Sequence, residues 1–256
     1  APAQAWDAIY VGAITNRTTI EEDDDEARRC DPLAPDHHLS PYTRTSHSWC
    51  DGRKDWPIAP DVVMEGANLG KHRDLEHEYP SFDSLAPLTT ASSFNLRPLT
   101  PFNATSAATA LAARIAAQVT QRYPDASPET IRGLLVHSAR WPQGLLDSLG
   151  FDPHAVGGYE AIQDLMRGYG FGVINEQRAL DSLGNQTTFF TEETIQPYAG
   201  AAGNASFNEC NLITLPWPIA LLQANPHVTC TLRVTLSYFI HPTPGTRSWD
   251  QGKKYK

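Results

Sequence analysis

Ser106 stands where a run of small residues passes into a helical pattern, in Thr100 to Arg114, TPFNATSAATALAAR. A serine hydroxyl attacks an acyl carbon when a base takes its proton and a third group orients that base. The start of a helix suits such a serine, because its N–H groups lack intrahelical acceptors and its dipole favours developing negative charge. Ala104, Thr105, Ala107 and Ala108 let other backbone approach closely. The competing reading is a plain helix cap, for which serine is among the preferred residues. Asn103, three residues before Ser106, is placed to order the turn. The segment alone leaves both readings open.

A general base has to lie within hydrogen-bond reach of the nucleophile. His37, His38 and His47 fall in a loop rich in Pro, Ser, His and Asp. His72 and His77 lie in an irregular polar stretch, His137 in the helical LLVHSAR, and His154, His227 and His241 at surface or turn positions. Nothing in their spacing aims any of them at Ser106, so each reads as a surface or structural histidine. Metal chemistry has less support. Cys30, His37, His38 and Cys50 fit no standard zinc spacing. The acidic run Glu21 to Glu26 reads as a solvated loop or short helix. It contains no D-x-D-x-D-G ligand loop, so no calcium or other cofactor is assigned. Cys210 and Cys230 sit in strand-like stretches and read as buried free thiols, with pairing as the alternative. H-E-x-x-H, G-x-S-x-G, a P-loop and a dinucleotide-binding glycine motif are all missing.

The elements that must carry these residues follow from periodicity. Ile9 to Ile14 is a short buried strand, and APDVVMEGANLG is a strand entering a glycine turn. Leu111, Ile115 and Val119 recur at i, i+4 and i+8 on a helix that ends near Tyr123-Pro124. A second helix opens at Ser127, with Pro128 in its first position and Glu129 at its positive end. From Thr187 onward TTFF, NLITL and VTCTLRVTLSYFI read as strands between proline-rich breaks. The 256 residues allow one large domain, or one domain with a small appendage. The net charge of −9 argues against a general nucleic-acid binder. No run approaches the roughly 18 apolar residues that would cross a bilayer. The strand pattern close to residue 1, with no initiator Met or signal-peptide pattern, leads us to expect a piece of a longer polypeptide. The expected compartment is the cytoplasm, with an extracellular location as the alternative.

Four segments together resemble the subtilisin-like serine proteases (subtilases), in that family's order. PAQAWDAIYVGAI resembles its P-x-x-x-x-x-x-I-x-V-G-A strand. LSPYTRTS followed by APDVVMEGANL resembles S-x-(F/Y)-S and then K-P-(D/E)-(V/I)-x-A-P-G. NATSAATALAAR and the two helices after it resemble G-T-S-M-A-(A/S)-P-x-V-A-G, and YGFGVINEQRAL resembles the short element that closes the catalytic domain. LRVTLSYFIHP is similar to the tail of a bacterial branch of the family. The departures are Ala104 for Gly, Ala107 for Met, Ala110 for Pro, and Met64-Glu65-Gly66 for A-P-G.

The resemblance implies an α/β fold: a three-layer parallel sheet flanked by helices over residues 1–183, the C-terminal portion of a catalytic domain. A small β-rich, sandwich-like domain over 184–256 would follow, cut short at its end. It makes Ser106 the nucleophile of a serine endopeptidase working through an acyl-enzyme, with Asn103, Ala104 and Thr105 supporting the turn and oxyanion hole. Asp61 matches a structural position and not the triad acid. The triad Asp and His and the oxyanion Asn would lie upstream of residue 1, so this chain alone is expected to be inactive. Its expected partners are a protein or peptide substrate and the missing N-terminal half. Homodimerisation through swapped sheet edges is open to the isolated chain, and no nucleic acid or membrane partner is expected. The alternatives are a pseudo-protease that binds in a degenerate cleft, or an interaction module built on the β tail.

Overall fold

A computed structural model describes residues 7–49, 58–152, 158–181, 187–200, 204 and 206–239. Two units separate: Ala1–Gln186 with Thr235–Lys256, and Thr187–Val234.

The first unit is an α/β structure. Its strands are β1 (Val11–Ile14), β2 (Cys30–Pro32), β3 (Val62–Glu65), β4 (Gly70–His72), β5 (Leu88–Thr90) and β6 (Leu99–Pro101). β1 and β3 run parallel, in register from Val11 against Val62 to Ile14 against Glu65. Val173 bridges the far side of β3 at Val63. β2 with β4 and β5 with β6 form small antiparallel pairs. The helices are α1 (Ala104–Arg122), α2 (Pro128–Ser138), α3 (Gln143–Leu149), α4 (Tyr159–Tyr169) and α5 (Glu176–Leu180).

Side chains alternate along a strand, and the two faces of β1–β3 meet different helices. Val11, Ala13 and Val62 join Ala108, Ala112, Ile115 and Val119 of α1 and Leu134 and Leu135 of α2 in one core. Ile14 and Val63 pack with Leu145, Leu146, Leu165 and Tyr169 of α3 and α4 in another. Of the i, i+4, i+8 stripe Ile115 and Val119 are buried, and Leu111 is half-buried. The alanines of α1 let the helix lie close to the sheet. Ser127 caps α2 by accepting the Thr130 N–H at 3.2 Å, with Pro128 in the first turn. Asn175 caps α5 through the Arg178 N–H at 2.9 Å. α3 and α4 were not expected from the sequence. α3 buries only Leu145 and Leu146, and α4 buries Leu165 and Tyr169 at its C-terminal end.

Gly170 and Gly172 lock the α4–α5 connection onto β3. Gly170 has φ +55° and Gly172 φ +102°, and a Cβ on Gly172 would lie 2.3 Å from the Arg140 carbonyl. Neither backbone can yield, because Gly172 C=O accepts the Val63 N–H while Val173 and Arg140 exchange two hydrogen bonds. Gly172→Ala therefore combines a disallowed φ with a backbone clash. It should lower stability by about 3 kcal/mol or more, read as a drop in the denaturation midpoint.

The second unit contains β7 (Tyr198–Ala199) and β8 (Ser206–Phe207), which pair antiparallel, and a helix α6 (Ile219–Ala224). Of the stretches expected as strands, TTFF, NLITL and the described part of VTCTLRVTLSYFI join no ladder among the described residues. Cys210 and Cys230 are exposed free thiols, correcting the expectation that they are buried. Without a paired strand there is no sheet face to cover them. Trp217 is 43% exposed and is not a core residue. Residues 235–239 return to the first unit, where Thr235 Oγ1 lies 2.9 Å from His137 Nδ1 and the Phe239 ring lies under the Arg132 guanidinium.

Candidate active site

Ser106 lies in the first turn of the 19-residue α1, and its side chain is exposed. The N-cap position belongs to Asn103, whose side chain makes no cap bond and instead donates to Tyr42 Oη at 3.4 Å. Among the described residues the Ser106 hydroxyl makes no hydrogen bond. Its geometry is therefore not that of a capping serine. Thr105 contributes its carbonyl to the Thr109 hydroxyl at 2.7 Å.

The turn before Ser106 is strained and held. Ala104 has φ +68°, the left-handed region that favours glycine. The resembling motif has glycine at this place, and the backbone here takes that conformation with an alanine. The Ala104 N–H donates to the Gly66 carbonyl at 2.9 Å, and the Gly66 N–H donates to the Ile14 carbonyl at 2.8 Å. The end of β1, the turn after β3 and the start of α1 thus meet at one point. Gly66 is required there, because a Cβ would stand 2.4 Å from the Ala13 Cβ and 3.1 Å from the Ala104 oxygen.

Further side chains clip this junction together. Ser40 is buried. It donates its N–H to the Ala13 carbonyl at 3.0 Å and its hydroxyl to the Ala67 carbonyl at 2.6 Å. Thr43 Oγ1 accepts the Ala13 N–H at 2.9 Å. The LSPYTRTS segment is therefore a clip on the β1 backbone. Asn68 is 2% exposed and fully bonded: its amide donates to the Arg17 and Ala34 carbonyls, and its oxygen accepts the Ala34 and Leu69 N–H groups. Glu65, at the place of the motif's proline, accepts the Asn16 N–H at 2.6 Å and the Ala67 N–H at 2.7 Å. Glu65 and Asn68 carry no local sequence signal for these roles, since they read only as residues in a glycine turn.

No described histidine is hydrogen-bonded to Ser106. His37 pairs with Asn16, His38 with Ser148, His47 with Asp164 and His137 with Thr235, while His72 accepts the Asp74 and Leu75 N–H groups. His77 and His227 are exposed, and His154 and His241 lie outside the described residues. The zinc constellation does not assemble, because Cys30 is buried with Ala27, Phe82 and Leu85. Cys50 lies outside the described residues. In the acidic run Asp24 accepts the Ala27 N–H and Arg28 pairs with Asp23 and Asp25, so its carboxylates hold a local turn. No cluster of three or more His, Cys, Asp or Glu suited to a metal occurs among the described residues. No described helix is long and apolar enough to cross a membrane.

Asp61 is structural in its contacts. It accepts the Tyr10 N–H at 2.7 Å and faces Arg132 at 3.6 Å. Burial raises its pKa, and the Tyr10 bond and Arg132 offset this only in part. A carboxylate with a raised folded-state pKa opposes folding while ionised, and this penalty fades as pH falls through the raised value toward the ordinary one. Asp61→Asn should therefore compare more favourably with the native protein at pH 7 than at pH 4. Paired thermal melts at the two pH values measure the difference.

The comparisons agree with this architecture. A family profile described as the subtilase family matches residues 1–172, and the chain belongs to that family, a family of serine peptidases. The chain is also similar to "Uncharacterized protein y4bN" of Sinorhizobium fredii (strain NBRC 101917 / NGR234), at 26% identity over 239 residues. That match covers 93% of this chain and 50% of the relative, so the chain spans about half the length of the curated relative it matches.

Proposed function

We propose that this chain is the nucleophile-bearing half of a serine endopeptidase. The observation that carries the reading is Ser106 itself. In a member of the subtilase family it stands exposed and unbonded on the first turn of α1, over a junction built from three segments. In the parent protein its hydroxyl oxygen attacks the scissile carbonyl while an upstream histidine takes the proton. That histidine returns the proton to the leaving amine, and an upstream aspartate orients its ring. Water then cleaves the acyl-enzyme by the same route in reverse. The Ser106 N–H and an upstream asparagine receive the oxyanion, and Ala104, Thr105 and Asn103 set the turn that presents them.

The upstream half also completes the fold in this reading. β1 pairs with β3 on one edge; on the other, the loop at 37–43 bonds to the backbone of Ala13 and Thr15, and no strand pairs with the Ile9–Val11 end among the described residues. A strand from upstream fits beside that Ile9–Val11 end, extending the pair into a three-layer parallel sheet. The isolated chain is inactive and dimerises through this edge, and a monomer in light scattering would count against dimerisation.

A fluorophosphonate probe tests the reading, with the adduct located by mass spectrometry. Labelling at Ser106 in the parent but not in the 256-residue chain supports it. Labelling of the short chain would place a base within these residues. Ala104 favours one second reading, a pseudo-protease that binds peptides without cleaving them, because a side chain occupies the strained position before the serine. Labelling of neither chain would establish that alternative over the peptidase.

A further inference from the structure

We propose that Glu65 is a positioning residue for Ser106, a role that rests on the peptidase reading above. Its two carboxylate oxygens hold two segments at once. Oε2 accepts the N–H of Asn16, just past β1, at 2.6 Å, and Oε1 accepts the N–H of Ala67 at 2.7 Å. Ala67 is fully buried and has φ +75°, which only glycine takes without penalty. Its neighbour Gly66 offers the carbonyl that holds Ala104 at φ +68°, two residues before Ser106. Two alanines in the left-handed region thus face each other across one hydrogen-bonded junction. Strained backbone of this kind persists only where its surroundings over-determine it. Gly66 has no side chain, so on the β3 side the constraint comes from Glu65, Ser40 and Asn68. Of these, Glu65 alone binds both the Ala67 N–H and the β1 exit, and hydrogen bonds to a charged acceptor are the stronger kind. No hydrogen bond joins Ser106 to Glu65. The influence runs from the carboxylate to Ala67, then through the Gly66 carbonyl to Ala104 and the first turn of α1.

The test uses the parent protein in four forms: native, E65Q, A104G and the double variant. Gln keeps the shape of Glu but has one acceptor oxygen for two N–H donors. E65Q should slow fluorophosphonate labelling of Ser106 and lower kcat by about 10- to 100-fold, with KM changed less than about twofold because substrate-binding surfaces stay in place. In the A104G background the same change should cost under about fivefold, since glycine takes φ +68° without strain. Hydrogen exchange at the Ala67 and Ala104 amides should quicken in E65Q. E65D keeps the charge but is one methylene short, and should fall in the same direction if E65Q proves unstable. Native labelling rates in E65Q or E65D would overturn the role of Glu65, as would an equal E65Q defect in both backgrounds or unchanged exchange. A native parent that is not labelled at Ser106 at all overturns the peptidase reading, and the positioning role falls with it.

Discussion

Ser106→Ala in the parent protein is expected to abolish peptide hydrolysis while leaving the melting temperature within about a degree. The hydroxyl is exposed and bonds to nothing among the described residues, so folding loses no partner when it goes. The catalytic loss should be on the order of 10⁶ in kcat, the scale set by loss of the nucleophile in subtilisin, which belongs to the same family. KM should change little, because the hydroxyl acts on the transition state more than on the bound substrate. Steady-state kinetics of purified native and S106A parent protein measure both. Residual hydrolysis within about tenfold of native would move the nucleophile elsewhere.

Gly66→Ala is expected to have the next largest effect, on stability and turnover together. An added Cβ meets the Ala13 Cβ at 2.4 Å and the Ala104 carbonyl oxygen at 3.1 Å, and neither atom can rotate away. Either β1 or the start of α1 must shift. Overpacking of this kind, where backbone has to move, costs about 3 kcal/mol or more. The turn carrying Ser106 moves with it, and a displacement near 1 Å costs about 10²-fold in rate. Denaturation midpoints and kcat/KM read the two losses separately. If stability falls and kcat/KM holds, the Gly66–Ala104 bond does not set the position of Ser106.

The helical part of the site was legible because its signals are local. Leu111, Ile115 and Val119 sit within eight residues of one another. The Ser127 cap and the Pro128 start sit within four, and the structure places them as that spacing requires. The glycines of YGFGV were legible as motif letters, and their physical need appears in positive φ values and the approach of the Arg140 and Asp61 backbone. α3 and α4 were not legible: α3 is seven residues long and gives little periodic signal, whereas α4, as long as α2 and strongly amphipathic, lacks a capping side chain and lies between glycines that read as turn. The strand-like tail failed in the opposite way. β-branched and aromatic residues mark a capacity to pair, but a ladder exists only where a partner strand lies alongside.

By itself, then, the sequence determined α1 and α2, the Ser127 cap and the place of Ser106 near the head of a helix, since each follows from residues a few positions apart, and it determined the family through four segments in order. Tertiary structure decided that Ser106 is not a cap, that Ala104 and Ala67 take left-handed backbone, and that Glu65, Asn68 and Ser40 clip the junction beneath it. Those bonds join residues as far as 51 positions apart, as Asn68 does with Arg17. Folding alone brings such pairs within reach, and neither partner's neighbours along the chain carry a trace of the other.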